Sequence, residues 1–151
     1  MKLSFFSLAS GSSGNCYYLG TPDFGILIDA GISFRTIKKV LKDNNIDISK
    51  IAAVLVTHDH ADHIKTVGYL GEKMYLPVYT TADVHRGIDN SRYVEETLNG
   101  SRRIIQKEVP FMIRDFSIVA FEVPHDSTDN VGYHICYKDH KFTFATDVGH
   151  I

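Results

Sequence analysis

The sequence predicts an α/β fold in which two β-sheets pack together and helices cover them from outside. Three observations support this class. The chain opens with short apolar runs separated by turn residues, continues with alternating strand and helix patterns, and returns to strand patterns in its last third. Its 151 residues, 44% of them hydrophobic, suit one ordinary globular domain. We therefore expect residues 1–151 to form a single domain.

The first third of the chain predicts a strand meander followed by one helix. Apolar runs at 2–8, 16–19 and 26–28 are bounded by glycine, serine and proline, as in short strands. Ser33 can cap a helix whose apolar residues Phe34, Ile37 and Leu41 share one face. The next run, 51–56, is apolar without alternation and predicts a strand buried on both faces.

The remaining elements alternate before the pattern becomes β again. Helical spacing at 64, 67 and 70 is followed by a short strand at 77–80 and a short helix at 82–88. The polar stretch 89–102 is weakly patterned and predicts a surface insertion. Alternating apolar residues at 119–123, 131–137 and 142–144 predict the strands of a second sheet.

Composition excludes several classes of protein. With 16 basic and 18 acidic residues, the net charge of −2 gives no basic excess typical of nucleic-acid binders. The N-terminal apolar stretch is interrupted by Ser4 and Ser7 and predicts a strand rather than a secretion signal. No stretch approaches the length of a membrane span. We expect a cytoplasmic protein with no membrane partner, in which Cys16 and Cys136 are reduced thiols.

The most informative segment is Thr57-His58-Asp59-His60-Ala61-Asp62-His63, directly after the predicted buried strand. Residues two apart in an extended segment point the same way, so His58 and His60 can bind one metal ion. The chain then turns into a helix, where Asp62 and His63 can face a second ion. Mixed imidazole and carboxylate ligands favour zinc, with manganese or iron as alternatives.

Four ligands do not complete two sites, so further ligands are expected at other strand ends. His125 and Asp147 each follow a predicted strand, where open α/β sheets place their sites. Asp29 ends another strand and suits an outer position, where a carboxylate orients a ligating imidazole, although a turn role is the alternative.

Several other residues have simpler interpretations. Without ligand spacing, His85 and His134 are expected to be structural, and the Gly11–Asn15 loop to be a turn. Arg102, Arg103 and Lys107 form a small basic cluster that could contact a nucleic-acid backbone, but surface charges are usually only solvated.

Four segments together resemble the metallo-β-lactamase superfamily, and the resemblance spans the chain: Leu27-Ile28-Asp29-Ala30-Gly31, the 57–63 segment, Pro124-His125-Asp126 and Thr146-Asp147-Val148-Gly149. The start, Ser7-Leu8-Ala9-Ser10-Gly11-Ser12-Ser13-Gly14-Asn15-Cys16-Tyr17, resembles the YycJ/WalJ subgroup. The superfamily resemblance implies a four-layered αββα sandwich. The subgroup resemblance implies a phosphodiesterase or 5'–3' exonuclease acting on DNA.

The resemblance also implies roles for individual residues. His58, His60 and His125 would bind the first ion, Asp62 and His63 the second, and Asp147 would bridge both. A hydroxide would lie between the two divalent ions, and Asp62 would act catalytically by orienting it. The expected partner is nucleic acid or another phosphodiester substrate.

One feature departs from the family pattern. The family uses a further histidine on the second metal from the other αβ half, and the sequence has no equivalent before Ile151. We therefore expect an N-terminal half of the fold plus a few more strands, incomplete at its C-terminus, with an exposed sheet face that could promote a homo-oligomer. Two alternatives remain: a thioester or lactone hydrolase of the same superfamily, and a non-catalytic metal-binding fragment or interaction module.

Overall fold

The computed structural model describes residues 2–124 and 130–146. The strands are β1 (Ser4–Ala9), β2 (Cys16–Gly20), β3 (Gly25–Ala30), β4 (Ile51–Leu55), β5 (Val78–Thr80), β6 (Arg102–Ile104), β7 (Phe111–Ile113), β8 (Phe116–Glu122), β9 (Val131–Tyr137) and β10 (His140–Phe144). The helices are α1 (Phe34–Asp43), α2 (Ala61–Ile64), α3 (Val67–Glu72) and α4 (Ala82–Asp89), and a 3₁₀ turn at Ile48–Lys50 precedes β4.

The strands form two sheets. The first has six strands in the order β1-β2-β3-β4-β5-β6, antiparallel from β1 to β3 and parallel from β3 to β6. The second has four antiparallel strands in the order β10-β9-β8-β7. Because β3 and β4 are parallel, the end of β3 that contains Asp29 and the end of β4 that leads to His58 lie at one edge of the first sheet.

Two hydrophobic cores lie on opposite faces of the six-stranded sheet. One joins that sheet to all four helices through residues such as Val54, Ile37 and Leu70. The other joins it to the four-stranded sheet, where Ile28 packs with residues that include Tyr133. The described residues therefore form three layers, helices on sheet on sheet, which confirms the predicted α/β class and agrees with a partial αββα sandwich.

Local signals account for the N-terminal boundaries of α1 and α4. The Ser33 side chain accepts a hydrogen bond from the Thr36 amide and caps α1, as predicted, and α1 ends at Asp43. The Thr81 side chain caps α4 in the same way, accepting from the Val84 amide.

Most of the 89–102 stretch is exposed, as its polarity predicted, but part of it also contributes to the core. Its Val94 and Leu98 are buried in the helix-side core, and Ser101 is buried next to Glu72. Two isolated apolar residues give no periodicity, so the contribution of this segment to the core depends on tertiary packing that the local pattern does not show.

Other expectations concern the cysteines and the membrane. Cys16 is buried, Cys136 is half-buried, and both are free thiols, as predicted. In the two described ranges, no helix is long and apolar enough to cross a membrane.

Candidate metal centre

The histidine segment is the loop between β4 and α2. His58 follows the buried end of β4, and His60 has extended backbone angles and forms the N-cap of α2. The His63 amide donates to the His60 carbonyl at 2.8 Å, which closes the first turn of the helix. The change from strand to helix brings both halves of the motif to the same edge of the sheet.

Three imidazoles of the segment lie together. The ring centroids of His58 and His63 are 3.9 Å apart, and those of His58 and His60 are 4.6 Å apart. His58 and His63 are buried, whereas His60 is exposed at the mouth of the cluster. Asp62 Oδ2 lies 3.9 Å from His63 Nε2. The structure therefore brings together the four ligands predicted from this segment.

Asp29 lies beneath the cluster and is completely buried. Its φ of 62° is in the left-handed region, which asparagine and aspartate tolerate better than most residues. Its Oδ1 accepts from the Thr57 amide at 2.8 Å, and its Oδ2 accepts from Thr57 Oγ1 at 2.8 Å and from His63 Nδ1 at 2.6 Å. One buried carboxylate thus contacts the two ends of the motif.

These hydrogen bonds assign the tautomers of two histidines. Thr57 Oγ1 donates its proton to Asp29, so it accepts from His58 Nδ1, 2.9 Å away. His63 Nδ1 donates directly to the same carboxylate. In both rings Nδ1 therefore carries the proton, and Nε2 has the lone pair that a metal ion requires.

The electrostatics of His63 follow from the same contacts. Burial disfavours the charged imidazolium, but the hydrogen bond to Asp29 and the negative charges of Asp29 and Asp62 outweigh burial. The net result is a raised pKa for His63. Negative charge around a ligating imidazole also favours a bound cation.

Backbone contacts from two other loops hold the segment in place. Gly31 packs so closely on α2 that a Cβ built on it would lie 1.7 Å from the Asp62 carbonyl oxygen. The Thr66 amide donates to the Ala30 carbonyl at 2.9 Å, and the Asn15 amide donates to the Asp62 carbonyl at 2.8 Å. The end of β3 and the 11–15 loop therefore fix where Asp62 and His63 lie.

Two of the six predicted ligands, His125 and Asp147, lie outside the described residues. Within the part of the chain that the structure describes, no three His, Cys, Asp or Glu side chains are arranged closely enough to enclose an ion. The donor chemistry nevertheless fits a divalent metal, since the Nδ1 hydrogen bonds of His58 and His63 leave Nε2 of both rings as the lone-pair atom and the Asp62 carboxylate lies 3.9 Å from His63 Nε2.

The residues with simpler interpretations behave as expected, with one exception. His85 is buried and bonds the Arg103 carbonyl, and His134 stacks on Phe121 in the second sheet. Arg102 forms an ion pair with Asp89 at 2.9 Å. The exception is the 11–15 loop: its Asn15 contacts Asp62, a role that a glycine- and serine-rich turn does not indicate.

Thr57 was likewise not assigned a role from the sequence, although it precedes the first histidine. A hydroxyl next to a metal-ligand candidate at the end of a buried strand is a usable signal, because a threonine at such a position needs a polar partner. Gly31 also has a role that the sequence indicates only weakly, through a glycine directly after a strand.

Comparison with known proteins agrees with this fold. The sequence model described as "Beta-lactamase superfamily domain" matches residues 25–151. The chain therefore belongs to the beta-lactamase superfamily, as its motifs predicted.

The chain is also similar to individual members of that superfamily. It is 33% identical over 144 residues to "Exodeoxyribonuclease WalJ" of Streptococcus pneumoniae serotype 2 (strain D39 / NCTC 7466), an alignment that covers 95% of this chain and 54% of the relative. It is 31% identical over 151 residues to "Exodeoxyribonuclease YycJ" of Bacillus anthracis, covering 100% of this chain and 56% of the relative. The chain thus spans about half the length of these relatives.

Solved structures share the fold at lower sequence identity. A metallo-beta-lactamase of Cronobacter sakazakii carrying substitutions in its HARLDQ motif superposes with a TM-score of 0.74 and 17% identity, covering 93% of this chain and 60% of that one. The three-layered arrangement is therefore a part of the metallo-β-lactamase fold.

Proposed function

We propose that the protein is a metal-dependent nuclease, an exodeoxyribonuclease that hydrolyses phosphodiester bonds in DNA in the 5'–3' direction. The observation that carries the proposal is the Asp29–Thr57–His58 and Asp29–His63 network, which prepares two buried imidazoles to bind metal. The names of the relatives at 31–33% identity support the substrate class.

The proposed centre holds two divalent ions, zinc or alternatively manganese or iron. His58 and His60, with His125, would bind one ion; Asp62 and His63 would bind the other, and Asp147 would bridge them. When bound, such ions polarise a phosphate and lower the pKa of water far enough for attack near neutral pH.

The protein's own residues have separate tasks in this proposal. Asp29 fixes the orientation of His63 directly and that of His58 through Thr57. Asp62, whose side chain is 33% exposed and lies 3.9 Å from His63 Nε2, would orient the attacking water. His60 is the exposed histidine through which substrate would first meet the centre.

The test is cleavage of DNA labelled at either end by the full-length protein, in the presence of zinc or manganese. We expect mononucleotide release from the 5' end and its loss in His60→Ala. His140→Ala is the matched control, since it removes an exposed histidine from β10 in the other sheet. No DNA cleavage with either metal would refute the nuclease proposal.

The same experiment separates the alternative functions. A panel of thioesters and lactones, assayed with the same two variants, would identify an acyl hydrolase if DNA is not cleaved. Metal binding with no turnover of any of these substrates would instead indicate a metal-binding or interaction module. Association of the protein with itself, and its location in the cytoplasm, remain part of the proposal and are measured by sedimentation and by cell fractionation.

A further inference from the structure

We propose that Asn15 is a positioning residue for the metal centre, which holds the Asp62 carboxylate in its ligating orientation. The inference rests on the proposed metal centre but not on DNA as the substrate. It assigns a role to the glycine- and serine-rich loop between β1 and β2, which lies 47 residues away from Asp62 in the sequence.

Asn15 contacts both the main chain and the side chain of Asp62. Its backbone amide donates to the Asp62 carbonyl at 2.8 Å, and its side-chain Nδ2 lies 3.3 Å from the same oxygen. The same Nδ2 donates to Asp62 Oδ2 at 3.2 Å. One residue therefore fixes the start of α2 and also the direction of the carboxylate that the helix carries.

The orientation of the Asn15 amide is determined by its other neighbours. Its Oδ1 accepts from the Gly11 amide at 3.1 Å and from the Tyr17 hydroxyl at 3.2 Å. Its Nδ2 donates to the Gly11 carbonyl at 2.8 Å. A rotated amide would set oxygen against two carbonyls and a carboxylate, so the NH₂ group must face Asp62.

Burial makes this contact effective. Asn15 is only 7% exposed, so water competes poorly for its amide, whereas the Asp62 side chain is 33% exposed and could otherwise turn toward solvent. With Oδ2 held by Asn15, the carboxylate keeps one defined rotamer. The oxygen that Asn15 holds, Oδ2, is also the one that lies 3.9 Å from His63 Nε2, so the hydrogen bond fixes the position of the carboxylate relative to the second candidate ligand.

The chemistry of the position explains why asparagine occupies it. Aspartate has the same shape but would place a negative oxygen where Nδ2 now lies, 3.2 Å from the Asp62 carboxylate. Alanine would leave the carboxylate without its donor. The contacts with Gly11 are sufficient to form the turn, so the additional contact with Asp62 indicates a role beyond the turn.

The experiment measures metal affinity by titration of the metal-free protein with zinc, in Asn15→Ala and Asn15→Asp. We expect affinity for one of the two ions to fall about 10-fold or more in both, the range seen when an outer hydrogen-bond partner of a metal ligand is removed. Asn99→Ala and Asn99→Asp make the same changes at an exposed asparagine and should leave the affinity unchanged.

A double-mutant cycle distinguishes positioning from a purely structural role. If Asn15 acts through Asp62, Asn15→Ala should reduce zinc affinity in the wild type but have little further effect in the Asp62→Ala background. An equal loss in both backgrounds, or affinity unchanged in Asn15→Ala while its metal-free form unfolds at lower temperature, would overturn the inference. So would a wild-type protein that binds none of zinc, manganese and iron, whereas absence of DNA cleavage alone would refute only the nuclease proposal.

Discussion

At the scale of single residues, the centre depends on a buried carboxylate that accepts three hydrogen bonds. Asp29 receives one from the Thr57 amide, one from the Thr57 hydroxyl and one from His63. A group that orients one histidine directly and another through a hydroxyl affects the candidate ligands of both ions. Substitution of Asp29 should therefore weaken metal binding although Asp29 is not itself a candidate ligand.

The first prediction is that Asp29→Asn lowers metal affinity about 10- to 100-fold. Asparagine tolerates the left-handed backbone at this position, so the fold should persist. Both oxygens of the Asp29 carboxylate accept hydrogen bonds, so the NH₂ group of asparagine would face another donor in either orientation. The measurement is zinc titration, with the exposed Asp23→Asn as a control for the loss of one negative charge. Equal affinities in the two variants would contradict the prediction.

The second prediction concerns Thr57, which is fully buried. Thr57→Val keeps the shape of the side chain but removes the hydroxyl between Asp29 and His58, so the His58 ring loses the partner that sets its tautomer. We expect a loss of roughly 1–3 kcal/mol in the free energy of unfolding, together with weaker zinc binding. Thr57→Ser retains the hydroxyl and should bind zinc like the wild type; if serine is as defective as valine, the methyl group rather than the hydrogen bond matters.

At the scale of the elements, the centre is built where β3, the 11–15 loop and α2 touch through their backbones. The contact between Gly31 and α2 is especially close, because the absence of a side chain on Gly31 lets the Asp62 carbonyl approach its backbone. The Gly31 amide also donates to the Asn15 carbonyl at 2.9 Å. The position of α2 is thus set by main-chain atoms, which move less readily than side chains.

The third prediction is that Gly31→Ala displaces α2. The added Cβ would meet the Asp62 carbonyl oxygen at 1.7 Å, and backbone must shift to relieve the overlap. We expect a loss of about 1–3 kcal/mol in stability and a clear loss of zinc affinity. Gly100→Ala is the matched control, because a Cβ there meets nothing within 4 Å. Urea unfolding and zinc titration of both variants would test this, and similar behaviour of the two would refute it.

The elements also show what sequence patterns reveal and what they miss. The cap at Ser33 and the apolar face of α1 are local signals, and the structure reproduces them. The burial of Val94 and Leu98 depends on packing against residues distant in the sequence, so the local hydrophobic pattern does not predict it. The contact between Asn15 and Asp62 joins a loop and a helix 47 residues apart in the sequence, and no local pattern in the glycine- and serine-rich loop predicts it.

At the scale of the whole molecule, the two sheets are joined next to the candidate centre as well as through their common core. The Val131 amide in the second sheet donates to the Thr57 carbonyl at 2.9 Å. The Tyr133 hydroxyl donates to the Val56 carbonyl at 2.7 Å, just before the histidine segment. Hydrogen bonds from β9 thus hold the chain just before the histidine segment. The alternating sequence pattern of β9 predicted buried apolar side chains but not these hydrogen bonds.

The fourth prediction follows from that link. Tyr133→Phe removes the hydroxyl from a fully buried ring and should lower the free energy of unfolding by about 0.5–1.5 kcal/mol. The loss should lie at the small end of this range, since the Val56 carbonyl still accepts from Thr80 Oγ1 at 3.0 Å. Tyr93→Phe, in an exposed ring, is the control.

The form of the unfolding curve tests whether the sheets act as one unit. Because the core between them is continuous from Ile28 to Tyr133, Tyr133→Phe should lower the urea midpoint without changing the slope of the transition. Two separate transitions, or a markedly smaller slope in Tyr133→Phe, would mean that the four-stranded sheet opens independently. The histidine segment would then be held by the first sheet and its helices alone, and zinc affinity should be insensitive to Tyr133.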